Sequence, residues 1–261
     1  MKVTCIQMDM GLGQVEENFR LAEKLIGEAM AEKPDVIVLP ETWNTGYFPE
    51  ENLESCCDRD GEQTKLRIGG LAKKYGVNIV AGSVSNLREG KIYNTAMVFD
   101  RTGTLIASYD KTHLFTAARE EDSYTPGDHL CRFTLDGVSC GVIICYDLRF
   151  PELIRSLTVP GLDMLFVVAQ WPNVRTTHLR TLTTARAIEN QMFLVCCNSC
   201  GTAGSTVYGG NSAIIDPWGE TLALAGEEQT RISARCDLSI LEKIRNTIPV
   251  FRDRRTDIYK L

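Results

Sequence analysis

The stretch GVIICYDLRFPE, residues 141–152, admits few local structures. Val142, Ile143 and Ile144 form an apolar run led in by Gly141, with Val138 earlier on the same stretch. A buried β-strand that ends at Cys145 satisfies this pattern. Pro151 and Glu152 fit the first turn of a helix. Cys145 therefore stands at a tight strand-to-helix corner, open on one side and backed by free N–H groups on the other. A nucleophile needs that geometry, and the serine nucleophile elbow uses the same logic. A lone cysteine is more often a buried structural residue, so the corner alone assigns no function.

Two further segments repeat the arrangement. Val36–Leu39 reads as a short buried strand stopped by Pro40, which leaves Glu41 at the C-terminal end of the strand, where active sites of parallel α/β sheets gather. In LIASYDKTHLF a strand-like run ends at Tyr109, with Lys111 two residues on. A single Glu or Lys in a loop is usually solvated. Glu, Lys and Cys, each just past a strand, make a specific pattern together.

The remaining periodicity predicts alternating strands and helices. Val3–Met8 is the first strand, followed by an amphipathic helix over Glu17–Glu32 with Phe19, Ala22, Ile26 and Met30 on one face. Further strands are predicted at Asn78–Ser83, Ile92–Asp100, Leu105–Tyr109, Met164–Ala169 and Met192–Asn198. Helices are predicted near Thr64–Tyr75, Thr176–Asn190 and Leu238–Ile244. Tyr208–Cys236 reads as a β-meander. No linker, repeat or low-complexity segment divides the 261 residues, so a single α/β domain is expected over 1–261.

Composition narrows the function. A net charge of −6 argues against nucleic acid or an anionic membrane as the main partner. No apolar run approaches a membrane span, and MKVTCIQMDM lacks the apolar stretch of a signal peptide. The ten cysteines are then expected to be reduced thiols in the cytoplasm. Cys196, Cys197 and Cys200 lack a second pair at zinc spacing, and Cys56 and Cys57 do not supply one, so neither metal nor other cofactor is expected. GLGQVE lacks the third glycine of a dinucleotide fingerprint. Only three histidines are present, none in a thiol-activating context, which makes a Cys–His protease a poor fit and turns the search for a base to the carboxylates.

With these strings in hand, the chain resembles the nitrilase, or carbon–nitrogen hydrolase, superfamily over nearly its whole length. LPETWNTGY, YDKTHLF and CYDLRFPEL carry the resemblance, continued by QWP, ARAIENQ, GGNSAIIDPWGE and IPVFRDRRTDIY. The branch it looks most like is the ω-amidase group, which hydrolyses the side amide of 2-oxo acids such as 2-oxoglutaramate. The resemblance implies a four-layer α-β-β-α sandwich. It also implies homodimers or larger assemblies, with the tail at 247–261 at the subunit interface.

The residue types suit amide hydrolysis. Cys145 would attack the carbonyl carbon to form a thioester, and Glu41 would take the thiol proton and pass it to the departing ammonia. Lys111 would face the oxyanion and favour the thiolate, with the Tyr146 N–H as a second oxyanion donor. Family members carry a second glutamate after the lysine loop. Here Glu120 and Glu121 are adjacent, and alignment from HLF to the Pro-Gly favours Glu120.

Arg149 and Arg175 are candidates for a substrate carboxylate, although either could make an internal ion pair, Arg149 with Asp147 or Glu152 for example. Tyr47 and Trp171 are expected to wall the pocket. The alternative within the superfamily is an amidohydrolase of N-carbamoyl amino acids or deaminated glutathione, which would use the same catalytic residues. A non-catalytic binding scaffold is the alternative of a different class. Loss of Glu41, Lys111 or Cys145 would mark it, and all three are present.

Overall fold

Strands whose residues are apolar on both faces form the centre of this molecule. The computed structural model describes residues 1–47, 49, 51–159 and 161–259. One mixed sheet contains β1 (Lys2–Gln7), β2 (Val36–Val38), β3 (Asp58–Arg59), β4 (Asn78–Arg88), β5 (Lys91–Phe99) and β6 (Leu105–Asp110). The second contains β7 (Arg132–Leu135), β8 (Val138–Ile144), β9 (Met164–Ala169) and β10 (Phe193–Asn198). Next, β11 (Cys200–Ala203) and β12 (Thr206–Gly209) pair as a separate ribbon. β13 (Ala213–Ile215) and β14 (Thr221–Leu224) extend the second sheet, and β15 (Thr230–Arg235) returns to the first. The sheet orders are β15-β1-β2-β4-β5-β6, with β3 on β4, and β14-β13-β10-β9-β8-β7.

Side-chain alternation explains the layers. On β9, Met164, Phe166 and Val168 face the core between the sheets, where they meet Val3, Cys5, Val36, Val38 and Val80 of the first sheet. Leu165, Val167 and Ala169 face the other way, under α2 (Pro151–Thr158) and α3 (Thr176–Asn190). On the outer face of the first sheet lie α1 (Val15–Ala29) and the helical segment 62–75, through Phe19, Ala22, Ile26, Ile68 and Ala72. The fold is thus an α-β-β-α sandwich, the four layers expected from the sequence resemblance. Central strands covered on both sides need continuous apolar runs, which is why their sequences showed so clearly.

Three local expectations differ. The segment Tyr208–Cys236 is not a meander: only β13 and β14 form a hairpin there, while β12 pairs with β11 and β15 crosses to β1, antiparallel, with Thr4 opposite Ser233. The helix near Thr64–Tyr75 is present but starts at Glu62 and carries a π-helical stretch (Lys65–Gly69) between an opening turn (Glu62–Thr64) and a final helix (Gly70–Tyr75). The strand predicted to end at Ser83 runs on to Arg88 and turns through Glu89 and Gly90 into its partner. At Gly82, φ is +60° and a Cβ would stand 2.0 Å from the Pro40 carbonyl oxygen, so only glycine lets the residue before Glu41 lie against this strand.

The ten cysteines are free thiols. Cys197 faces the inter-sheet core and Cys196 the helices of the second layer. No helix among the described residues is long and apolar enough to cross a membrane.

Candidate active site

Four chain segments leave their sheets at one end of the sandwich and converge: those after β2, β6, β8 and β9. They deliver Glu41, Lys111, Cys145 and Gln170 in turn. Cys145 opens a short 3-10 turn (Cys145–Arg149) directly after β8 and has φ +46°, a left-handed conformation that a residue with a Cβ rarely adopts. The corner read from the sequence is therefore a strained one. Thr42 and Arg119, beside Glu41 and Glu120, also have positive φ, at +39° and +57°.

The polar centre is dry. Glu41 is 0% exposed, Lys111 1% and Glu120 1%. Lys111 Nζ donates to Glu41 Oε1 at 2.9 Å and to both oxygens of Glu120 at 2.8 Å. Glu120 is held in turn by the Phe115 N–H at 2.6 Å, whereas its neighbour Glu121 is exposed. Glu41 accepts further bonds from Asn94 Nδ2 at 2.9 Å and from the Gln170 N–H at 2.8 Å. The Cys145 thiol neighbours the Glu41 carboxylate and the Gln170 N–H, which act on its proton in opposite senses.

Electrostatics assign the resting protonation. Burial works against the Lys111 charge, but Glu41 and Glu120 outweigh it and hold the ammonium well above its ordinary value. Burial pushes the Glu120 carboxyl up, with Lys111 opposing. Burial, reinforced by Glu41, pushes the Cys145 thiol well above its ordinary value, and Lys111 offsets this only in part. Lys111 pulls toward the thiolate, and burial with Glu41 outweighs it. Two carboxylates already claim the lysine's charge, so Cys145 rests as a thiol beside a base. Such an arrangement can transfer the proton as sulfur attacks, without storing a buried thiolate.

A cleft of about 100 Å³ opens onto this centre. Tyr47, Trp171, Phe115 and Tyr208 wall it, and Arg149 and Arg175 lie at its polar side. Arg149 stacks over Trp171 at 4.5 Å and Arg175 over Phe115 at 5.1 Å. Among the described residues neither forms an ion pair. Asp147 is instead occupied with Tyr109 and His113. Burial and the neighbouring Arg175 both pull the Arg149 pKa down, since two cations share one cleft. Tyr146 lines the cleft as the second residue of the Cys145 turn, where a helical N–H has no earlier carbonyl to bond.

Sequence reading missed Asn94, Gln170, Phe115 and Tyr208. Asn94 was visible only as a polar residue inside the strand IYNTAMVF, which reads equally as face alternation. Gln170 follows a buried strand as Cys145 does, but contributes its backbone N–H, to which sequence is blind.

Comparison with known proteins agrees with this geometry. The family model described as carbon-nitrogen hydrolase matches residues 2–246. The chain is 42% identical over 257 residues to the 2-oxoglutaramate amidase of Bacillus subtilis (strain 168), covering 98% of each. It is 37% identical to the omega-amidase of Xenopus tropicalis, covering 94% of this chain and 92% of the relative. A CN-hydrolase superfamily protein of Xanthomonas campestris, solved with an arsenic adduct in its active site, superimposes with a TM-score of 0.91 at 28% identity, covering 100% of this chain and 98% of the other.

Proposed function

This chain belongs to the carbon–nitrogen hydrolase family as an amidase, and we propose that it removes ammonia from the ω-amide of a small 2-oxo dicarboxylic acid of the 2-oxoglutaramate kind. One observation carries the reading: a thiol beside a buried carboxylate faces a small cleft lined by two arginines that, among the described residues, form no ion pair. The thiol and its base supply the reaction. The arginines supply a reason for an anionic substrate, since guanidinium binds carboxylate with two parallel bonds.

In this mechanism the Cys145 sulfur adds to the amide carbon while Glu41 takes the thiol proton. The oxyanion forms beside Lys111 Nζ and the Tyr146 N–H. Collapse breaks the C–N bond, and the proton on Glu41 leaves with the amine as ammonia. A thioester joins the acyl group to Cys145. Water then adds to the thioester carbon as Glu41 takes its proton, and collapse frees the acid and returns that proton to sulfur. Glu120 stays on Lys111 throughout and fixes its position.

Ammonia release from a panel of ω-amides, N-carbamoyl amino acids, deaminated glutathione and nitriles tests the proposal. Preference for 2-oxo ω-amides is expected. Faster turnover of a carbamoyl amino acid would reassign the substrate and keep the chemistry. Ammonia release by Cys145→Ala near the wild-type rate would overturn the chemistry.

A cytoplasmic setting suits ten free thiols. We also propose that 1–261 is one catalytic domain that works as a homodimer or larger, with the tail at 247–261 at the interface. The tail begins on its own subunit: Gln191 Nε2 donates to the Ile248 carbonyl at 2.6 Å and Phe251 lies under Arg155 at 5.0 Å. Ile258 and Tyr259 then stand exposed, a poor arrangement for an isolated chain. Light scattering on the full chain and on one ending at Asn246 tests this. A fully active monomer at micromolar concentration would refute it.

A further inference from the structure

Asp147 lies two residues past Cys145, is wholly buried, and is not among the residues lining the cleft. Four donors converge on its carboxylate. The Tyr109 hydroxyl donates to Oδ2 at 2.8 Å and the Ile144 N–H to the same oxygen at 3.1 Å. The His113 N–H reaches Oδ1 at 3.0 Å, and His113 Nδ1 lies 2.9 Å from that atom. The His113 ring is itself fixed by stacking on Phe150, with centroids 3.6 Å apart.

The sequence positions of these donors give the cluster its meaning. Tyr109 and His113 bracket Lys111 on either side. Ile144 immediately precedes Cys145 and its strained φ of +46°. Tyr109 belongs to the first sheet and Ile144 to the second. We propose that Asp147 is a positioning residue that clasps the lysine loop to the nucleophile corner across the two sheets, and so sets the register of Lys111 against Cys145. A strained backbone needs its surroundings to over-determine it. A carboxylate that can accept at all four positions does so here, whereas a carboxamide would present N–H to N–H at one of its two ends. The clasp rests on the reading of Cys145 as nucleophile and Lys111 as its electrostatic partner.

Two substitution sites test it. Asp147→Asn keeps the size and removes an acceptor. His113 is partly exposed, so His113→Leu and His113→Asn leave the buried polar centre untouched. In His113→Asn the carboxamide can place a donor where Nδ1 lies. The expected result is a fall in kcat of about 10²-fold for Asp147→Asn with KM nearly unchanged, the size associated with a misplacement of about 1 Å. For His113→Leu kcat is expected to fall about tenfold, the worth of one hydrogen bond, with most of it restored in His113→Asn. A merely structural role would lower the melting temperature and leave kcat per folded enzyme at the wild-type value, and that result would overturn the proposal. If Asp147→Asn fails to fold, the His113 pair decides alone, and equal kcat in its two variants refutes the clasp.

A second readout is independent of the substrate. Alkylation of Cys145 by iodoacetamide, followed by peptide mapping, uses the same proton transfer to Glu41. It is expected to slow about tenfold in His113→Leu. If the wild type hydrolyses no amide in the panel, the substrate reading fails while this rate still judges the clasp. An unchanged rate would overturn it.

Discussion

Lys111 Nζ lies 2.9 Å from Glu41 Oε1, in a space that neither side chain shares with solvent. The contact makes the lysine part of the base's own environment. Glu41 must gain a proton and lose it again with this cation fixed beside it. Glu120, on the far side of the lysine, keeps the cation from moving toward either state.

Lys111→Met is therefore expected to harm both stability and rate. It leaves the carboxylates of Glu41 and Glu120 buried with no cation between them. Breaking a buried pair in this way costs roughly 3–5 kcal/mol. Loss of the charge beside the oxyanion is expected to slow turnover by at least ~10²–10³-fold. Glu120→Gln leaves one cation against one anion and is expected to melt closer to the wild type. Thermal unfolding and ammonia release on the same samples separate these effects. A Lys111→Met protein that melts like wild type would mean that the pairing does not hold the site together.

The corner at Cys145 gives a prediction of opposite sign. With φ at +46°, any residue carrying a Cβ is strained there, and glycine is not. Cys145→Ala and Cys145→Gly are both expected to be inactive and folded. The glycine variant should be the more stable of the two by about 1 kcal/mol, the cost of a left-handed residue with a side chain. Urea unfolding of the two variants measures it. A more stable alanine variant would show that the corner relaxes.

Much of this site could be read from sequence, for a physical reason. Strands covered on both faces need unbroken apolar runs, so β9, and α3 behind it, stand out with their ends in place, and the residues just past such runs mark the site. Partner choice was not legible. The alternation in 206–235 announces strands, but that β15 pairs with β1 depends on contacts more than two hundred residues apart, such as Thr4 with Ser233. Nor could the state of the Cys145 thiol be read, because it is a balance between burial and two charges, Glu41 and Lys111, whose distances only the fold supplies. Asp147 was noticed as a candidate ion partner for Arg149, and the fold gives it to Tyr109 and His113 instead.

Arg149 and Arg175 should separate substrates by charge. If both face the carboxylate end of the substrate, Arg149→Met and Arg175→Met each remove a charged hydrogen bond. Such bonds contribute about 1.5–3 kcal/mol, or roughly 10–100-fold in kcat/KM. The loss is expected for an anionic ω-amide and not for a neutral amide of similar size. Arg149→Met also uncovers Trp171, so the neutral amide is the needed control for lost packing. Equal losses on both substrates would assign the arginines to shaping the cleft.

The buried thiols set the alkaline limit of the fold. Burial pushes Cys57, Cys131, Cys140, Cys200 and Cys236 up to about 12, and holds Cys145 and Cys197 well above the ordinary thiol value. In the unfolded chain a thiol ionises near 8.5. Between these values the unfolded state gives up protons that the folded state keeps. The unfolded state then binds fewer protons, so stability falls as pH rises. The contribution of each thiol is complete below about 8.5 and is lost as pH climbs toward about 12. Under reducing conditions the urea midpoint is expected to stay level up to about pH 8 and to drop steadily above about pH 8.5, the unfolded thiol value. Buried tyrosines and Lys111, also raised, push the same way at still higher pH. A midpoint that holds level to about pH 10, well past the unfolded thiol value, would show that these thiols ionise without unfolding and that the inter-sheet core admits charge.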